Sequence, residues 1–146
     1  MGSVLSVSST ERLRVYFSGG AVAFAFPFIL LELIGFIYGA SPATEAFQRT
    51  FQNLIIILNF VGGMTGGFLA ARVSPVDKVQ TGAVTGVSAY LIQQVAYFFY
   101  YSGNAPQGTF VTISLIAGSI IGSYFFNLYM RQKSVKQPSI KPYDKE

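Results

Sequence analysis

Cysteine, histidine and tryptophan are all missing from this 146-residue chain, and Asp and Glu together number only six. Without thiol or imidazole there is no disulfide, no ordinary zinc or copper site, no haem axial histidine and no catalytic triad. Charge is scarce as well: charged residues make up 11% of the chain, against roughly 25% in a soluble domain. What remains for chemistry is a few carboxylates and amides, ten Lys/Arg and nine Tyr. That set argues against an enzyme, and neither a cofactor nor a metal is expected. The net charge of +4 would point to nucleic acid in a soluble protein. Here most of it lies beside an apolar run, so orientation and anionic lipid explain it better, and nucleic acid is not an expected partner.

Apolar sequence is abundant, with 51% of residues hydrophobic. Four runs stand out, at about 15–38, 51–73, 79–101 and 109–130. Each meets the roughly 20 residues that span a hydrocarbon core of about 30 Å. The expected fold is therefore all-α, an integral membrane four-helix bundle. Residues 1–130 would form one transmembrane domain and 131–146 a basic cytoplasmic tail, disordered unless held by a partner.

Start signals accompany the runs. Ser8 and Glu11 fit a capping box before the first helix. Ser41-Pro42 and Ser74-Pro75 each offer an N-cap followed by an N1 proline, with Asp77 near the positive end of the third helix. Ser102 to Pro106 reads as a tight turn. Pro27 should kink the first helix. Met1 to Ser6 fits the short myristoylation pattern, yet a plain N-terminal arm suffices, and the first run is too long for a cleaved signal peptide, so it reads as a signal-anchor. The aromatic stretch Tyr97–Tyr101 and the group Tyr124, Phe125, Phe126 and Tyr129 read as interface belts.

The basic residues are one-sided. Arg12, Arg14, Arg72, Lys78, Arg131, Lys133, Lys136, Lys141 and Lys145 fall at one end of a four-span hairpin, and Arg49 alone at the other. The positive-inside rule then places both termini in the cytoplasm. Arg131, Lys133 and Lys136 lead the tail and are the candidates for anionic headgroups or a partner's surface.

Small residues recur at four-residue spacing. Gly62, Gly63, Gly66 and Gly67 make two interleaved GxxxG motifs, extended by Ala70 and Ala71. Gly82 with Gly86, Gly118 with Gly122, and Gly35 with Gly39 repeat the device in the other helices. Such faces let backbones approach closely in lipid. They either hold this chain's own helices together or, on the doubled face of the second helix, grip another subunit.

Four polar side chains lie within the runs: Glu32, Asn59, Gln93 and Gln94. At 1.5 Å per residue they sit roughly 4–8 Å from the midplane. Helical phase puts Glu32 on a face with Ala21, Ala25, Phe28, Gly35 and Gly39, Asn59 with Gly63, Gly66 and Ala70, and Gln93 with Gly82, Gly86 and Ala89. These positions predict one buried polar cluster. It would serve interhelical hydrogen bonding, or, with Glu32 as the ionisable member, proton or cation binding, or contact with a partner subunit's basic or polar group.

The run from Gly62 to Gly86, GGMTGGFLAARVSPVDKVQTGAVTG, resembles a pattern in small Gly-rich four-helix membrane proteins of bacteria and archaea, over about residues 60–90. That resemblance implies a fold and little chemistry. In general character the chain is similar to accessory subunits of large membrane enzymes, such as respiratory complexes and the archaeal ammonia monooxygenase. It also resembles small multidrug transporters, which have four helices and an acid in the first, but are shorter and use a tryptophan absent here. The function expected from these readings is a non-catalytic subunit of a larger membrane complex, packed against other integral membrane subunits or itself. The alternative is a small proton- or cation-coupled transporter centred on Glu32.

Overall fold

In lipid a backbone must satisfy its own polar groups, and a helix does so within one segment. The computed structural model describes residues 9–74, 77–101 and 108–135, all of them in or beside four helices. These are α1 (Ser9–Tyr38), α2 (Glu45–Val73), α3 (Lys78–Tyr100) and α4 (Thr109–Val135). By length and composition α1, α2 and α4 can each cross a membrane. The third, at 23 residues, is long enough but less apolar, because Gln80, Gln93 and Gln94 and several hydroxyls interrupt it.

The helix ends show where local chemistry departs from the expected pattern. Gly39 adopts a left-handed φ of 64°. Ala40 N–H donates to Gly35 O at 2.9 Å and Gly39 N–H to Phe36 O at 3.3 Å, the paired bonds of a Schellman motif. Gly39 is therefore the stop of α1 and not a packing residue, while Gly35 makes room for the returning Pro42 ring. Thr44, rather than Ser41, caps α2 by accepting from Phe47 N–H. Phe51 has non-helical angles (φ −107°, ψ 16°), so α2 bends where the apolar run begins.

Before α3 the cap is Asp77, whose carboxylate accepts from Val79 and Gln80 N–H at 2.9 and 3.0 Å. Ser74 instead ends α2, its N–H bonded to Ala70 O. At the other end α4 continues through Arg131, Gln132 and Lys133 to Val135, past the boundary expected at Met130. No breaker intervenes, and Lys and Arg are favourable in a last helical turn. Ser8, the turn at 102–107, Lys136 and the remaining tail lie outside the described residues.

Four seams close the bundle, and each is built on glycine. A methyl group placed on Gly62 would sit 2.5 Å from Ala23 O and 2.7 Å from Pro27 Cδ, and one on Gly66 would meet Gly19 O. Pro27 has no N–H for Ala23 O, so that carbonyl is free of its usual helical partner and lies against the bare Gly62 backbone. The other stripe of α2 faces α4: Gly63 meets Leu115 O and Gly67 meets Ser119 O, while Gly118 and Gly122 meet Phe60 O and Met64 O. The register rises together on both helices, so α2 and α4 run parallel. Gly82 and Gly86 close α3 on Ser119, Ile120 and Ile116 of α4, and Gly20 closes α1 on Ser88 and Ala89 of α3. Thus α2 and α3 each touch all three other helices, with α1 and α4 on opposite flanks.

Both stripes of α2 are therefore occupied, by α1 and by α4. The doubled glycine face does not look outward to another subunit: Gly62, Gly63, Gly66, Gly67, Ala70 and Ala71 are all buried. The buried face of α1 also differs from the expected one. It consists of Tyr16, Gly19, Gly20, Ala23, Pro27, Leu31 and Gly35, and Ala21 points outward. Two apolar clusters complete the core, one of Leu31, Phe47, Ile55 and Val111, the other of Ala23, Ala89 and Leu115.

Hydroxyls inside the bundle are mostly satisfied on their own helix. Ser119 donates to Leu115 O at 3.0 Å, Ser123 to Ile120 O at 2.8 Å and Ser114 to Val111 O at 2.7 Å. Back-bonding of this kind lets a small polar side chain lie at a tight seam without an unmet donor. Thr85 differs: it is fully buried, its Oγ1 has no partner among the described residues, and its methyl group faces Gly19. Replacing that hydroxyl with a methyl in Thr85→Val removes an unmet polar atom at nearly constant shape. The expected result is a stability gain of about 1 kcal/mol, read from the thermal midpoint in detergent; a loss would show that the hydroxyl has a partner.

Candidate functional site

Glu32 lies near the C-terminal end of α1, where α1 meets the end of α3. Its Oε1 accepts a hydrogen bond from the Tyr101 hydroxyl, and the side chain is partly open to the surroundings. Tyr101 is the residue that caps α3, its own N–H bonded to Tyr97 O at 2.9 Å. The carboxylate is thus held by the side chain at the helix stop, not by the body of the bundle.

Aromatic rings surround this contact. Tyr97 and Tyr101 stack with centroids 5.3 Å apart and an interplanar angle of 26°. Phe28 presents its edge to Tyr97 at 6.2 Å and to Tyr100 at 5.6 Å, and Phe24 reaches Tyr97 at 6.2 Å. Edge and offset arrangements of this kind stabilise ring pairs by about 0.5–1.5 kcal/mol each beyond burial. Part of the stretch expected as an interface belt is therefore packed inside: Tyr97 is only 4% exposed, while Phe98, Phe99 and Tyr100 point outward.

The described hydrogen bonds of Glu32 and Asn59 do not link them to each other or to the glutamines. Asn59 is buried, at 2% exposure, and its amide donates to Ile55 O of its own helix at 2.8 Å. A helical asparagine can reach the carbonyl one turn back, so it needs no partner across the bundle. Gln93 is equally buried and lies one turn from Tyr97, but its Oε1 has no partner among the described residues. Gln94 sits on the more open side of α3. The site the structure assembles is Glu32 with Tyr101, backed by Tyr97, Phe28 and the buried Gln93.

Several contributors are not legible in the polar pattern. Tyr101 as the partner of Glu32 is one, since it lies 69 residues away in sequence. Ser119 is another, because its backbone and side chain meet Gly67, Gly82 and Gly86 at once. A signal for it exists: Gly118-Ser119 and Gly122-Ser123 repeat the doublet spacing of Gly62-Gly63 and Gly66-Gly67.

At the opposite end of the bundle Lys78 folds back onto α2. Its Nζ donates to Ala71 O at 2.9 Å and to Ser74 O at 2.6 Å, and lies 5.7 Å from the Phe126 ring centroid. Arg131 and Lys133 extend from the last turns of α4 at this same end. At the Glu32 end Arg49 pairs with Glu45 at 2.5 Å on the exposed face of α2. Among the described residues, no three His, Cys, Asp or Glu side chains converge. The chain matches no family model, no curated protein and no solved structure.

Proposed function

We propose that the chain crosses the membrane four times with both termini in the cytoplasm and acts as a non-catalytic subunit of a larger membrane assembly. A membrane oxidase or an ammonia-monooxygenase-like complex is one such setting, and a second copy of the chain is another possible neighbour. The single observation that carries this reading is the use of the interior. All four seams bring glycine against backbone, so the volume where a pathway or a reaction centre would sit is taken up by helix packing.

Two further features support it. The less apolar α3 touches all three other helices, and its Thr81, Thr85, Ser88 and Gln93 are turned inward. A helix covered in this way can cross lipid despite lower hydropathy. The described Arg12, Arg14, Arg72, Lys78, Arg131 and Lys133 lie toward one end of the alternating helices, the asymmetry of a cytoplasmic face.

A second reading is kept because one observation favours it. The Glu32 carboxylate carries a hydrogen bond from Tyr101 but no cationic side chain among the described residues, and the Tyr101 ring is stacked on Tyr97. That arrangement suits a small cation. Extraction from the native membrane in mild detergent, followed by native electrophoresis and mass spectrometry, separates the two. Co-migration with larger integral subunits in fixed stoichiometry is the expected result. Migration as a lone monomer or dimer would sink the subunit reading, and a cation flux abolished by Glu32→Gln would establish the second.

A further inference from the structure

A groove of about 350 Å³ runs along the outer side of the α1–α2 seam at its basic end, lined by Val15, Ser18, Gly19 and Val22 of α1 and by Leu69, Ala70, Arg72 and Val73 of α2. It exists because Gly19 and Ala70 have almost no side chain. The seam they close is narrow at its floor, and the larger Val22, Leu69 and Val73 stand up as walls. The walls are apolar, and the Ser18 hydroxyl is engaged with Val15 O at 3.0 Å, so the groove offers no free donor along its length.

Charge is confined to its mouth. Arg72 lines the groove on the last turn of α2. On α1 the stripe Val15, Ser18, Gly19 and Val22, continued back one turn, reaches Glu11 and Arg12, with Arg14 on another face of the helix. Arg12, Arg14 and Arg72 are exposed, and no described side chain pairs with any of them. Of the carboxylates that α1 and α2 carry, only Glu11 lies at this end, against Arg12 and Arg72, so the two helices leave the mouth positive on balance.

We infer that this groove holds one acyl chain of an anionic phospholipid, with the phosphate at Arg72 and Arg12. The match is one of shape and sign together. A shallow apolar channel runs into the bundle's flank from the exposed Arg72, with Arg12 on the facing helix, and a glycerophospholipid has a chain and a phosphodiester in that order. Guanidinium binds phosphate in a bidentate fork, and a basic residue near an anionic surface contributes about a fivefold gain in binding. A helix from a second copy fits less well, since it would have to bring acidic residues to the mouth. The outer face of α1 has none there apart from Glu11.

The test uses the full chain purified in mild detergent and exposed to dioleoyl-phosphatidylglycerol or dioleoyl-phosphatidylcholine, with retained lipid counted by native mass spectrometry. Preferential retention of one phosphatidylglycerol is expected. Arg72→Gln should lower that preference about fivefold, and Arg12→Gln with Arg72→Gln should abolish it. Val22→Trp fills the groove from an exposed position (Val22 is 38% exposed) and should eliminate retention with the arginines in place. Circular dichroism confirms that each variant stays folded. Equal retention of the two lipids overturns the proposal, as does Val22→Trp that changes the oligomeric state but leaves retained phosphatidylglycerol as before.

Discussion

Gly67→Leu should disrupt the bundle more than any other single substitution on α2. The position has no slack, because a Cβ there falls inside the Ser119 carbonyl and within 2.8 Å of Ser119 Cα. Overpacking against side chains costs about 1–3 kcal/mol, since side chains can rotate away. Here the obstacle is the backbone of α4, so the helices must separate. Separation also releases the reciprocal contacts of Gly63 on Leu115, Gly118 on Phe60 and Gly122 on Met64. The expected loss is about 3 kcal/mol or more, read as a fall in the thermal midpoint of the helical circular-dichroism signal in detergent. Gly108→Ala is the matching control, because nothing lies within 4 Å of a Cβ at that position; it should leave the midpoint unchanged. A Gly67→Leu protein with an unaltered midpoint would mean that the parallel α2–α4 seam does not hold the bundle together.

The same seam shows what the sequence could and could not disclose. The GxxxG spacing identified which residues of α2 would approach another backbone, because small side chains at i and i+4 must share a face. It could not say whose backbone that was. Two stripes about 100° apart fit two neighbours, and only the three-dimensional arrangement assigns them to α1 and α4. In α1 the phase itself was lost, for a physical reason. The helix is apolar nearly all round, so periodicity leaned on Glu32 and assumed that an acid must turn to the interior. Gly19, Gly20 and Pro27 decide the matter instead, since steric closeness and not polarity selects the buried face.

Polar residues add a similar ambiguity. Equal depth along three helices predicted a shared cluster, yet side chains in a helix have a local alternative. Asn59 reaches Ile55 O and the serines of α4 reach their own carbonyls, so depth does not imply contact. Glu32 found a partner at the end of α3 because Tyr101 has the length to reach it from a helix stop. Local rules placed Asp77 near the start of α3, but with two Ser-Pro pairs to choose from they nominated Ser41 and Ser74 as caps. Thr44 and Asp77 do the capping, and Pro42 lies outside the helix it was expected to start.

Lys78→Met should destabilise the α2–α3 turn end of the bundle by about 2 kcal/mol, and the reason separates two roles that one charge can have. Counted as a basic residue, Lys78 is one of nine that the proposed topology gathers at one end, and losing one of nine changes little. As a side chain it donates to Ala71 O and Ser74 O, at the negative end of the α2 dipole. Charge-assisted bonds of this kind contribute about 1.5–3 kcal/mol, and a cation at a helix C-terminus adds roughly 0.3–1 kcal/mol. Methionine keeps an apolar stem but removes the ammonium from above Phe126 and leaves two carbonyls without that donor. Lys133→Met removes the same charge from an exposed position on the last turn of α4 and should cost only a few tenths of a kcal/mol. Orientation can be read in parallel, because a chain with no cysteine accepts a single reporter thiol. Arg49→Cys should react with an impermeant maleimide from the outer face in both backgrounds. A lowered midpoint for Lys78→Met alone, with labelling unchanged, assigns the residue to capping α2; equal losses for the two substitutions would leave it as one charge among nine.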